Sequence, residues 1–246
     1  MTILLDKSTD IDKQTRSSKE ASDLEYANDL TTEQENIILK RKVAELEDQL
    51  EHDTLLSNLY NKPAHQKSLD AHIEKGEAFG YIFIDLNNFG LVNKEVAHDV
   101  ADKILKDFSD VLVNAFRRET DELDFLSQEG DDPIIRGRLG GDEFGLLVDL
   151  AKNNRRGEDI YEKMDKIYNY LNNLCLDFVA ARPELDELGF GVAIGPAVWN
   201  PDSPVDARTL YRQAEEAMKE SKSEAEEEIE TRISRSLGDA ALTKSS

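Results

Sequence analysis

A mixed α/β domain built on a mainly antiparallel sheet is the fold class this sequence predicts, and three observations carry it. The continuous apolar run "FGYIFIDL" (79–86) has the composition of a strand buried on both faces. Two further apolar segments, "DPIIRGRL" and "EFGLLVDL", flank a glycine pair as an antiparallel hairpin. Long helical patterns separate the strands, so from residue 79 onward the order reads β-α-β-β-α-β-α. That order predicts helices packed on one face of the sheet, the split βαβ or ferredoxin-like arrangement, preceded by an N-terminal helix.

The elements follow in order. Residues 1–26 are polar, lack any apolar period and are expected to be disordered. A helix is expected over 27–56, where a Thr-x-x-Glu capping signal opens the pattern. Leu39, Val43, Leu46 and Leu50 then recur at spacings of four, three and four. A short coiled-coil seam and an amphipathic helix lying on its own domain both produce this stripe. The α/β domain is placed at 57–222. Its first long helix is read from "KEVAHDVADKILKDFSDVLVNAFRR", with Val96, Val100, Ile104, Phe108, Val111 and Phe116 on one stripe. The acidic connection "RRETDELDFLSQEGDD" is long for a compact domain and reads as an insertion. A second helix ("EDIYEKMDKIYNYLNNLCLDFVAAR"), a buried strand ("GFGVAIGPAVW") and a third helix ("DARTLYRQAEEAMKESK") complete the domain. Residues 223–246 read as an acidic helical extension with a frayed end.

Composition narrows the function. The 246 residues suffice for one sizeable domain with extensions, or two small ones. A formal charge of −22 argues against binding nucleic acid through a basic face and against attachment to anionic membranes. No segment approaches the ~18 apolar residues of a membrane span, and "MTILLDKSTDIDKQ" lacks the features of a secretory signal. The single Cys175 has no partner for an internal disulfide or a zinc site, and it sits at core spacing in its helix. A soluble protein of the reducing cytoplasm is expected.

The chemistry gathers around "RLGGDEFGLLV" (138–148). Read alone, Gly140-Gly141 is a hairpin turn, and Asp142 and Glu143 are solvated. The same residue types also let a backbone approach phosphates and hold a divalent cation. Asp85, near the end of the first strand, would by itself be a turn or capping residue. In a ferredoxin-like sheet, however, the first and third strands are central neighbours, which brings Asp85 beside Asp142 and Glu143. Three carboxylates at one sheet edge repel unless a cation neutralises them, and oxygen-only ligands select Mg²⁺ or Mn²⁺. Nucleotidyl transfer requires such a site.

The run "RLGGDEF" resembles the signature of GGDEF-domain diguanylate cyclases, which condense two GTP into cyclic di-GMP. Four other motifs extend the resemblance over residues 54–222: "LSNLYNK", "FIDLNNFGLVNKEVAHDVADKIL", "GVAIG" and "QAEEAMKESK". It implies Asp85, Asp142 and Glu143 as catalytic acids, and these with the Leu86 carbonyl as metal ligands. It further implies Asn93 and Asp102 as readers of the guanine edge, Phe89 as the packing aromatic, Gly140 and Gly141 as the turn over the phosphates, and Lys222 as a phosphate-contacting lysine. His98 is read as structural.

The sequence also departs from the family's pattern. Gly90 and Glu226 stand where cations would meet phosphate, and Asn87 where a second aspartate is usual. Arg136, Arg138 or a partner chain would have to compensate. The positions of the usual product-inhibition motif hold Asp131 and Ile134, which leaves only a displaced Arg118 and Asp121 as a weak candidate. The expected function is a GTP-dependent cyclase acting as a homodimer paired through the N-terminal helix, with a regulatory partner protein possible. The alternative is a weak or inactive module that binds GTP or a partner.

Overall fold

The computed structural model describes residues 32–116, 123, 134–151 and 159–223. The expectations for residues 1–26, for most of the 117–132 connection and for the tail beyond 223 lie outside the described residues. So do those for Arg118, Asp121, Asp131 and Glu226. The chain divides into two units, Met1–Leu50 and Glu51–Ser246. The described part of the first, residues 32–50, lies in helix α1 (Thr32–Glu51). Its seam residues Leu39, Val43, Leu46 and Leu50 are all exposed, Leu50 at 76%.

The second unit opens with α2 (Lys62–Lys75), an element the apolar pattern did not announce. Its signal was in the caps. The Asn61 side chain accepts from the Ala64 N–H, Pro63 sits in the first turn, and Gly76 closes the helix at φ 72°. Then follow β1 (Phe79–Asn87), α3 (Phe89–Glu95), α4 (His98–Asn114), β2 (Ile134–Arg138), β3 (Glu143–Asp149) and α5 (Ile160–Ala180). A 3₁₀ turn (Pro183–Leu188), β4 (Gly191–Trp199) and a helix over 207–223, α6, complete the unit. The sheet order is β2-β3-β1-β4, with every neighbouring pair antiparallel. The ferredoxin-like expectation is met, with β1 and β3 at the centre.

Two expectations need correction. Helices cover both faces of the sheet. Ile82, Ile84, Phe144 and Leu146 face Ile104 and Phe108 of α4 and Ile167 and Leu171 of α5. Phe79, Tyr81, Phe83 and Leu147 face Leu69 of α2 and Leu210, Ala214 and Met218 of α6. A strand buried on both sides must be apolar throughout, which is why 79–84 does not alternate. Each such side chain contributes about 1.5–3 kcal/mol.

The second correction concerns the helix read from 94 to 118. The chain is extended at Val96 (ψ 163°) and Ala97 (ψ 145°), so α3 and α4 are separate. The buried face of α4 is Ala101, Ile104, Leu105, Phe108 and Leu112, while Val100 is 44% exposed.

Two local features position the site. Tyr60 pairs with the outer edge of β2, its N–H donating to Arg136 O (2.9 Å) and its carbonyl accepting from Arg138 N–H (2.8 Å). At Gly195, any Cβ would collide with the Ala214 carbonyl and the Met218 N–H. Bare backbone there lets α6 lie directly on β4. Cys175 is buried, its thiol pushed up to about 12 by desolvation, in keeping with a core role. Among the described residues no helix is long and apolar enough to cross a membrane.

Candidate functional site

The acids meet where β1 ends and β3 begins. Asp85 is the register partner of Glu143, and the Leu86 N–H donates to the Asp142 carbonyl at 3.1 Å. Central pairing of β1 with β3 therefore brings the three predicted acids to one end of the sheet. The turn is tight: both Leu139 and Gly140 N–H groups donate to the Glu143 carbonyl, at 2.8 and 3.3 Å. A side chain at Gly140 would strike the Glu143 carboxylate, whereas Gly141 is open to solvent. Glycine at 140 thus makes room for an acid folded back over the turn.

Two residues that brace the turn were not assigned this role from the sequence. Arg138 donates from Nε and Nη2 to the Gly141 carbonyl (3.2 and 2.7 Å) and from Nη1 to Asp53 Oδ1 (3.1 Å). Asp53 Oδ1 also accepts from Leu55 and Leu56 N–H (2.9 and 2.8 Å). The available signal was an aspartate heading a short Thr-Leu-Leu run, the pattern of an Asx turn. Arg138 is thus committed to the turn backbone and Asp53. Arg136 is buried, donating to Leu112 O and Ile134 O (2.8 and 2.9 Å). Arg136 is therefore spent inside the domain, contrary to the expectation that it supplies a phosphate-binding cation.

The acids crowd one another. Burial and then the Asp85 charge hold the Asp142 carboxyl above its ordinary range. Burial, then Asp142 and Asp85, do the same for Glu143. Lys222 near the end of α6 answers this crowding: its Nζ lies 2.9 Å from Asp85 Oδ1. In donor chemistry the set fits a hard divalent cation, being all oxygen and carrying excess negative charge. Asp85 faces Lys222 and Glu143 lies over Gly140; among the described residues no three acids or histidines stand as a ready-made metal cluster.

The two proposed guanine readers lie on different elements, both exposed: Asn93 on α3 and Asp102 on α4. His98 Nδ1 lies 3.3 Å from Asn93 Oδ1 and begins the helical turn that leads to Asp102. Phe89, the first residue of α3, is buried. Asn88, the residue before it, takes a left-handed conformation (φ 58°) and donates from Nδ2 to Gly189 O at 2.9 Å. Its carbonyl accepts from Leu91 and Val92 N–H, so the start of α3 is clasped to the loop before β4. Gly90 is exposed with open space where a side chain would go.

The sequence profile of the family described as "Diguanylate cyclase, GGDEF domain" matches residues 50–228. The chain is 27% identical over 103 residues to the Pseudomonas aeruginosa protein named cyclic di-GMP phosphodiesterase NbdA. It is 28% identical over 101 residues to the Escherichia coli K12 protein named probable diguanylate cyclase DgcE. These matches take in 40% and 39% of this chain, but only 11% and 8% of the relatives' lengths. A crystal structure of the coiled coil and GGDEF domain of Caulobacter crescentus DgcB, in complex with c-di-GMP, superposes with a TM-score of 0.55 at 16% identity. That match covers 85% of this chain and 94% of the other and supports the fold.

Proposed function

The chain belongs to the GGDEF-domain diguanylate cyclase family, and we propose that it condenses two GTP into cyclic di-GMP and two pyrophosphates across a dimer. The observation that carries this reading is the register of Asp85 against Glu143, with Asp142 at the adjoining turn. These acids and the Leu86 carbonyl would hold the divalent cation. Mg²⁺ or Mn²⁺ supplies, when bound, charge neutralisation at the triphosphate and acidification of the attacking 3′-hydroxyl. Asp102 accepts from the guanine N1–H and 2-amino groups, and the Asn93 amide pairs with the acceptor atoms of the base edge. Gly140 and Gly141 form the turn over the phosphates, with Gly141 its open side. Each domain binds one GTP, and a two-fold arrangement sets each 3′-hydroxyl against the opposing α-phosphate. The exposed seam of α1 is the proposed pairing element.

A second reading has its own support. Gly90 offers no cation to phosphate, and Lys222 is engaged by Asp85. On that reading the module binds GTP or a partner protein as a regulator, with weak turnover or none. Product inhibition is weak on either reading, since Ile134 is buried in the sheet and offers no acid. Chromatography of GTP and Mg²⁺ incubations separates the two. The cyclase reading predicts cyclic di-GMP from the wild type and none from Asp142→Ala or Glu143→Ala. GTP binding without product would favour the regulator.

A further inference from the structure

Lys222 reaches the site only because Gly195 admits α6 against β4, with Ala214 and Met218 at the point of closest approach. The Lys222 and Asp85 side chains are 32% and 16% exposed, so the pair is partly shielded from water. Arg138 bonds the Gly141 carbonyl and Asp53, which leaves Lys222 as the cation in direct contact with the acids among the contacts described above. We propose that Lys222 is a resident counter-ion that a divalent cation must displace from Asp85, so that cation binding and release of the ammonium form one exchange.

The physical argument is one of charge and reach. A dication on the Asp85 carboxylate repels an ammonium 2.9 Å from the same oxygen. The four-carbon lysine stem lets that ammonium swing away at little cost. One ammonium stands against three carboxylates gathered at one end of the sheet, Asp85 being the register partner of Glu143 with Asp142 at the adjoining turn. Once released, the Lys222 ammonium is free to meet an anionic phosphate. Cation binding would thereby prepare the site for nucleotide. The inference rests on the reading that Asp85, Asp142 and Glu143 hold the cation.

Mn²⁺ titration of the full chain without nucleotide, with free Mn²⁺ followed by electron paramagnetic resonance, tests the exchange apart from catalysis. Lys222→Gln should bind Mn²⁺ roughly fivefold more tightly, the factor corresponding to a partly exposed ion pair. Lys222→Arg should stay near wild type, and Asp85→Asn should lose the site. Unchanged or weaker Mn²⁺ binding in Lys222→Gln, with binding lost in Asp85→Asn, would overturn the exchange and leave the acid site standing. Mn²⁺ binding indifferent to Asp85→Asn would remove the acid site and the exchange with it. A variant-free measurement keeps the test decisive if Lys222→Gln folds poorly. Mg²⁺ added to the wild type should move the Lys222 ε-methylene resonance to that of a free lysine, and a resonance that stays in place as Mg²⁺ saturates would refute the proposal.

Discussion

Glu143 and His65 show opposite ways in which single residues tie stability to pH. The Glu143 pKa lies above its ordinary 4.5 through burial and the nearby acids. Its unfolded form therefore loses the proton first, and stability present below pH 4.5 falls as pH rises through the raised value. Glu143→Gln should abolish turnover yet melt about 1–2 °C higher at pH 7 without divalent cation, a small shift because water screens the site. A lower melting temperature would show that the crowding is not destabilising. His65 runs the other way. It is 1% exposed, fills the space that Gly137 and Gly145 leave on the sheet, and burial lowers its pKa from 6.5 to about 4. Its stabilising contribution is present above pH 6.5 and is lost as pH falls towards 4. His65→Phe should remove about 2 kcal/mol of the difference in urea stability between pH 7 and pH 5. An acid limb unchanged in the variant would contradict this assignment.

At the level of elements, the close seat of α6 on β4 depends on one glycine, Gly195. Gly195→Val should cost about 1–3 kcal/mol through overpacking against Ala214 and Met218. It should also expose the amides of 210–222 to hydrogen exchange and break the Lys222–Asp85 pair. Wild-type stability and protection would mean that α6 is held by its apolar face alone. The same elements show what could be read in advance. The strands and their central pairing were legible because β1 is an unbroken apolar run and the glycine pair marks the hairpin. That pairing placed Asp85 beside the hairpin carrying Asp142 and Glu143, and the structure supplied the register of Asp85 against Glu143. α2 was missed because its period is weak and its evidence lies in its caps. The break at Val96–Ala97 was missed because neither residue forbids a helix. Arg138 was visible as a cation, but its commitment to Gly141 and Asp53 depends on two segments 85 residues apart.

Across the whole molecule, a condensation of two GTP needs two domains, and a chain of charge −22 opposes its own encounter. The exposed stripe Leu39, Val43, Leu46 and Leu50 on α1 is the proposed answer, since parallel pairing would raise the local concentration of the second half-site. Its shortness predicts a weak dimer. Leu46→Glu with Leu50→Glu should lower specific activity several-fold at low enzyme concentration while leaving the melting temperature of the catalytic unit unchanged. Full activity in that double variant would place the pairing elsewhere. The most direct measurement is formation of cyclic di-GMP by the full chain, with GTP and Mg²⁺, across a range of enzyme concentrations. Two pyrophosphates should form per cyclic di-GMP, and specific activity should rise with enzyme concentration to a plateau. GTP left intact at every concentration, by folded protein that binds it, would rule out the cyclase reading.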